Sequence, residues 1–279
     1  MTGLPWAEWG VNLAAAAVAA LAVMLAAFAV GTVKGVHRVA DIAWGFAFTA
    51  VALVTYALSA GHGDDGRRLL VTLATALWGL RLGVHIALRG RGHGEDPRYE
   101  RMLDRAPGSR TLYALRTVYL AQGALVWLIS LPVQAAQYIS VPAGPLVWAG
   151  LAVWAVGLAF EAVGDTQLAR FKADPANRGR IMDRGLWGWT RHPNYFGDFL
   201  VWWGLFLLAC GTWQSAAVSL VSPLLMTFLL TRGSGKRLLE RHMADRPGYA
   251  AYTARTSGFF PRPPRKAPAG ARRRSGASR

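Results

Sequence analysis

A chain of 279 residues in which 53% of side chains are hydrophobic and only 16% are charged has too little polar surface to coat a soluble protein of its size, so an integral membrane protein is expected. The formal charge of +16 would suit nucleic acid, but the cations are scattered over many short segments without a soluble module or a recognisable motif. That excludes nucleic acid and favours lipid headgroups and an anionic ligand. One cysteine, Cys210, excludes an internal disulfide and a multi-cysteine metal site, and no helix-spaced pair of histidines or carboxylates outlines another metal centre.

A helix crosses a bilayer core with about 20 apolar residues, and seven stretches qualify, at roughly 11–33, 42–60, 69–88, 115–135, 145–163, 197–213 and 215–231. The fold class is therefore all-α, a polytopic membrane bundle of about seven transmembrane helices. The first span is too long, and lacks the basic leader, for a cleaved signal peptide. Lysine and arginine alternate with the loops as the positive-inside rule demands. Residues 1–33 hold none, 34–41 hold Lys34 and Arg38, and Arg67 and Arg68 are offset by Asp64 and Asp65. The segment 89–116 carries seven arginines, 135–144 no charge, and 164–191 five arginines with Lys172. This predicts a bacterial inner-membrane protein with its N-terminus outside and its C-terminus in the cytoplasm. Residues 1–261 read as one domain, and 262–279 as a basic, disordered tail drawn to acidic lipid.

Within the third span, Trp78, Arg81, Leu82 and His85 share a helical face. A charge inside hydrocarbon is costly unless paired, which makes Arg81 a functional candidate, with a snorkelling arginine as the alternative. Arg89 to Arg110 interleaves Gly90, Gly92 and Gly94 with Arg89, Arg91 and His93, a pattern suited equally to wrapping a phosphate and to a solvated loop. Glu161 and Asp165 lie one turn apart at the end of the fifth span, so their like charges imply a cationic partner such as Arg191 or Arg232, or a ribose for Asp165. Gln167 to Arg184 reads as a cytoplasmic loop broken by Asp174-Pro175 and Gly179.

The richest stretch is Arg191-His192-Pro193-Asn194-Tyr195-Phe196-Gly197-Asp198. Proline fixes its own φ and biases His192 away from helical geometry, so a loop through His192 and a helix from Pro193 are expected. The amides of a helix start beside Arg191 suit an anion such as a cofactor phosphate. A membrane-interface anchor, with Arg191 on lipid phosphate and Tyr195 in the aromatic belt, is the alternative. Asp198 follows Asn194 by one turn and can cap donors or bind a hydroxyl. Tyr249 and Tyr252, three apart, suit an aromatic ring or the headgroup layer.

Asp41-Ile42-Ala43-Trp44-Gly45, Gly94 to Tyr99, Phe160 to Asp165, Phe171-Lys172, Gly185-Leu186-Trp187, the 191–198 motif and Arg246-Pro247-Gly248-Tyr249 together resemble the DUF1295 group of uncharacterised bacterial membrane proteins. That group is similar to the C-terminal region of the steroid 5-alpha-reductases, a likeness concentrated here after about residue 160. The resemblance implies a seven-helix enzyme that holds NADPH in a cytoplasmic cavity and reduces the carbon–carbon double bond of an enone in a sterol-like, isoprenoid or fatty substrate. By the same resemblance Asp165 and Asn194 contact the dinucleotide, and Lys172 and Asp198 stand where the reductases have arginine and glutamate. Arg81 and Arg232 match arginines near the cofactor. Arg191, His192, Tyr195 and Tyr249 complete its expected surroundings. Lys236 and Glu240 replace histidines and a tyrosine of the reductases, and Trp78 replaces a tyrosine that polarises the steroid ketone. His85 is then the candidate acid for the developing enolate oxygen. Isoprenylcysteine carboxyl methyltransferases also carry an Arg-His-Pro-x-Tyr element, a glutamate helix and a paired-tyrosine segment, so a methyltransferase using S-adenosylmethionine, served by Glu240, Tyr249 and Tyr252, is the alternative. A transporter ranks last, because no inverted repeat is visible.

Overall fold

The computed structural model describes residues 3–92, 94–233 and 235–265. Every regular element among them is helical. In chain order these are α1 (Trp6–Lys34), α2 (Val39–Leu58), α3 (Asp65–Arg89), α4 (Pro97–Leu103), α5 (Arg110–Ala114), a π-helical stretch (Leu115–Leu120), α6 (Ala121–Ile129) and α7 (Leu131–Ala136). There follow α8 (Pro145–Ala173), a 3-10 turn (Pro175–Asn177), α9 (Leu186–Trp189), α10 (Pro193–Leu208), α11 (Trp213–Ser219), α12 (Val221–Thr231), α13 (Lys236–Met243) and α14 (Tyr249–Arg255).

Six helical segments are long and apolar enough to cross a membrane: Trp6–Lys34, Val39–Leu58, Asp65–Arg89, Arg110–Ile129, Pro145–Ala173 and Trp213–Met243. The chain is an integral membrane protein. The span expected at 197–213 corresponds to α10, whose 16 residues reach only about 24 Å against a hydrocarbon core of about 30 Å. The fifth span does not end near 163, and Gln167 does not begin a loop. The helix runs to Ala173 and stops where Asp174 accepts a bond from Ala176 N and Pro175 cannot continue it. The segment after Arg89 is likewise not all loop, since Asp96 caps Arg98 N and Pro97 opens α4. The basic tail expected over 262–279 lies, from residue 266 on, outside the described residues, as does His93.

The described residues form two compact units. The first runs to Trp154 and adds Trp202–Leu225; the second comprises Ala155–Val201 and the chain from Met226. In the first, α2 packs on α1 and α3. Small residues allow this: a Cβ on Gly79 would sit 2.7 Å from Thr49 Oγ1. Phe48, Trp78 and Trp202 are fully buried in edge-on and tilted ring pairs with centroids 4.7–5.4 Å apart. At the start of α3, Arg67 and Arg68 are buried rather than carried in a loop. Arg67 donates to the carbonyls of Leu208 (2.6 Å), Val141 (3.0 Å) and Pro142 (3.4 Å). Arg68 reaches Ser59 Oγ and Tyr56 O and pairs with Asp65 at 2.6 Å. Elsewhere in this unit Glu95 accepts from the backbone amides of His37 and Arg38, while Asp41 accepts from Tyr99 Oη (2.6 Å) and Arg98 (2.9 Å).

In the second unit, α8 and α10 cross at glycines. A Cβ on Gly157 would lie 2.6 Å from Gly197 O, and one on Gly197 2.6 Å from Glu161 N, so neither position has room for a side chain. Trp187 Nε1 donates to Gly164 O at 2.9 Å, fastening α9 beneath α8. The chain after α14 returns beside Thr190, where Arg191 N donates to Ser257 O and Thr190 Oγ1 to Phe259 O.

Candidate functional site

Pro193 opens α10 as its sequence demands, and His192 stands just outside the helix. The His192 ring is buried and stacks on Tyr195, with centroids 5.3 Å apart and planes within 2°. Its Nε2 lies 3.1 Å from Glu240 Oε1. A carboxylate only accepts, so Nε2 carries the proton. Burial, the largest influence, pushes the His192 pKa below its ordinary value despite the carboxylate, leaving the ring neutral near pH 7.

Arg191 is not free to meet an anion. Its Nε and Nη2 hold the same Glu240 oxygen at 2.9 and 2.8 Å, and its Nη1 donates to Thr253 O and Thr256 O. The C-terminal return thus wraps the guanidinium in carbonyls while Glu240 neutralises it. Gly258 makes this closeness possible: a Cβ there would come within 3.0 Å of Lys236 Nζ and 3.1 Å of Arg191 Nη2. Tyr252, buried, donates from its hydroxyl to Trp187 O at 2.7 Å, and burial raises its pKa and that of the neighbouring Tyr249. Asn194 Oδ1 accepts from Tyr195 N, and its Nδ2 approaches Asp165 Oδ1 at 3.4 Å.

On the far side of Glu240 opens a cavity of about 460 Å³ lined by Thr231, Lys236, Arg237, Glu240, Arg241 and Ala244. With Glu240 committed to Arg191 and His192, three cations dominate its wall. Arg232 is exposed nearby in sequence, Asp198 is half-buried on α10, and Lys172 is exposed at the end of α8. Arg81 and His85 belong to the first unit, half-buried one turn apart on α3 with the buried Trp78. The structure therefore gathers Arg191, His192, Tyr195, Lys236, Glu240 and Tyr249 in one unit with Asn194 and Asp165. Sequence reasoning missed Arg237 and Arg241, although helical spacing places residues 237 and 241 one turn apart and 240 beside them.

The family model described as "Protein of unknown function (DUF1295)" matches residues 27–256. An uncharacterised protein of Schizosaccharomyces pombe is 26% identical over 257 residues, covering 80% of this chain and 72% of that protein. A probable O-methyltransferase of Ustilaginoidea virens is 38% identical over 69 residues, and this match spans 25% of the chain and only 24% of that relative. No solved structure matches the chain. With the family model running from α1 into the C-terminal return, the chain belongs to the DUF1295 family of proteins of unknown function.

Proposed function

We propose that this protein is an NADPH-dependent reductase of a carbon–carbon double bond in a lipophilic substrate that enters from the membrane. The observation that carries the reading is the cationic cavity beside the Arg191–Glu240–His192 cluster. A dinucleotide phosphate brings several negative charges, and Lys236, Arg237 and Arg241 complement them without a competing carboxylate, since Glu240 is already neutralised. S-adenosylmethionine brings a sulfonium cation, for which such a wall is a poor match. When bound, NADPH supplies the hydride. The chain's own tasks are then to hold phosphate at Lys236, Arg237 and Arg241 and to present Tyr249 and the Asn194–Asp165 pair to the nucleoside. The cytoplasmic placement of the C-terminus belongs to the same proposal.

Titrating the purified chain in detergent with NADPH, and following energy transfer from its tryptophans, tests this reading. Saturable binding is expected, weakened about 10–100-fold in Arg241→Ala, the cost of one charge-assisted bond. Binding unchanged by that substitution, or no saturation, removes the reading. The similarity of a 69-residue stretch to a probable O-methyltransferase favours a second reading, methyl transfer from S-adenosylmethionine. Stabilisation against heat by S-adenosylmethionine and not by NADPH would establish it in place of the first.

A further inference from the structure

In the second unit two acid-free runs of chain lie side by side. Neither 184–197 nor 246–279 contains an aspartate or a glutamate. Arg191 N donates to Ser257 O, Thr190 Oγ1 to Phe259 O and Arg262 N to Trp189 O, which fixes residues 257–262 against 189–191. Asp183, just before the first run, is bound by Arg255 of α14. Two large rings on this seam stay outward, Trp189 at 48% and Phe260 at 56% exposure. The Phe260 ring is held in place, packed on Phe196, Phe199 and Phe259 with centroids 5.4–6.1 Å apart. Phe196 and Phe199 belong to the first two turns of α10, and Phe196 also meets Phe160 of α8 at 5.2 Å. The exposed ring thus extends a phenylalanine cluster rooted in two apolar helices.

Cations accompany the rings. Arg262, two residues after Phe260, and Arg265 are both exposed, and neither guanidinium has a bonded partner among the described residues. Pro261, Pro263 and Pro264 fix φ around them. The chain is also anchored at both arginines, by Arg262 N on Trp189 O and Arg265 N on Arg255 O. The guanidinium groups therefore hang from a stiff, tethered segment. Rings and guanidinium groups together at the start of an apolar helix match the headgroup layer, where rings rest at the acyl boundary and arginines reach phosphate. With no carboxylate on either run to neutralise them, the two arginines favour a headgroup of net negative charge.

We propose that the C-terminal return, residues 257–265, forms with Trp189 a binding surface for an acidic phospholipid of the surrounding leaflet. Phe260 and Trp189 rest at the boundary of its acyl chains, and Arg262 and Arg265 hold its phosphate. Because Ser257 O accepts from Arg191 N, a lipid seated there also holds the return against Arg191. The surface shares no residue with the lining of the cationic cavity and is independent of the reductase reading.

The full chain is placed in phosphatidylcholine nanodiscs holding a rising fraction of dibrominated phosphatidylglycerol or, in parallel, of dibrominated phosphatidylcholine. Bromine quenches an indole only near contact, and the Trp189 signal is the difference between wild type and Trp189→Phe. Quenching of that signal is expected at a fraction of the acidic lipid on the order of tenfold lower than of the zwitterionic one, the effect of two partly screened cations. The preference should vanish in Arg262→Gln/Arg265→Gln and persist in Arg272→Gln/Arg273→Gln/Arg274→Gln, which alters only cations beyond the return. Equal quenching by the two lipids overturns the proposal, as does a preference that survives the first variant. Loss of the preference in the second variant also overturns it, by placing the attraction in the distal arginines. Inorganic phosphate that abolishes the preference at constant ionic strength would overturn it as well, by showing a site for a free anion.

Discussion

Replacing Glu240 by glutamine keeps its shape and removes its charge, which isolates what Arg191 and His192 gain from it. The two guanidinium contacts and the imidazole contact all fall on one oxygen. With side-chain exposures of 14% and 23% the Arg191–Glu240 pair lies between the exposed and buried limits, so Glu240→Gln should destabilise the protein by about 2 kcal/mol in chemical unfolding. His192 adds a pH dependence. Its folded pKa lies below that of the unfolded chain, so the unfolded state takes up a proton first as the pH falls. The stability is therefore present above about pH 6.5 and declines as the pH drops below it. Thermal unfolding at pH 7.5 and 5.5 should show a larger loss of Tm in wild type than in His192→Gln. Sequence alone made Arg191 look available to an anion, because Pro193 and Asn194 dominate the local pattern. Its true partner lies 49 positions away, and only α13, with a single acid among its cations, hinted at the pairing.

The helices were largely legible because length and apolarity decide them, and the starts at Asp65 and Pro193 follow from a capping aspartate and a proline. What the pattern could not show was which charges the tertiary structure would bury. Arg67 and Arg68 follow two aspartates in a stretch that reads as a solvated loop, yet Asp64 caps α3 and both arginines are buried. Arg67→Met should leave three carbonyls unpaired, at a cost of about 3 kcal/mol, and this appears as a lowered unfolding midpoint with the helical content retained. The α8–α10 crossing is decided by close approach rather than by charge. At Gly197 even a methyl group would meet Glu161 N at 2.6 Å and Glu161 Cβ at 2.8 Å, so Gly197→Ala should cost about 1–3 kcal/mol through overpacking. Gly150→Ala tests the generality of this, since its Cβ would meet Leu208 Cδ1 at 2.6 Å, Leu207 Cβ at 2.8 Å and Gly204 O at 2.9 Å. A comparable loss is expected there.

For the whole molecule, the short helix α10 decides the topology. At about 24 Å it falls short of a mean bilayer core, and a span of that length crosses only where the bilayer thins or flanking side chains extend to the interface. Its flanks are suited to this. Arg191 and His192 stand at one end, and at the other Trp213, 77% exposed, begins α11 at the aromatic level favoured by membrane interfaces. Charge argues for crossing as well. The segment before α10 carries Arg178, Arg180 and Arg184, whereas Gly211 to Gln214 carries none, and the cations return only from Arg232 onward. If α10 lay on the surface, the neutral turn and the basic segment would share a side and the alternation would fail. The chain has one cysteine, Cys210, so a Cys210→Ser background gives a clean label. Arg180→Cys should react with an impermeant maleimide only after the membrane is opened, and Trp213→Cys in intact spheroplasts. Labelling of both positions under the same condition would mean that α10 does not cross and that the chain spans the membrane six times.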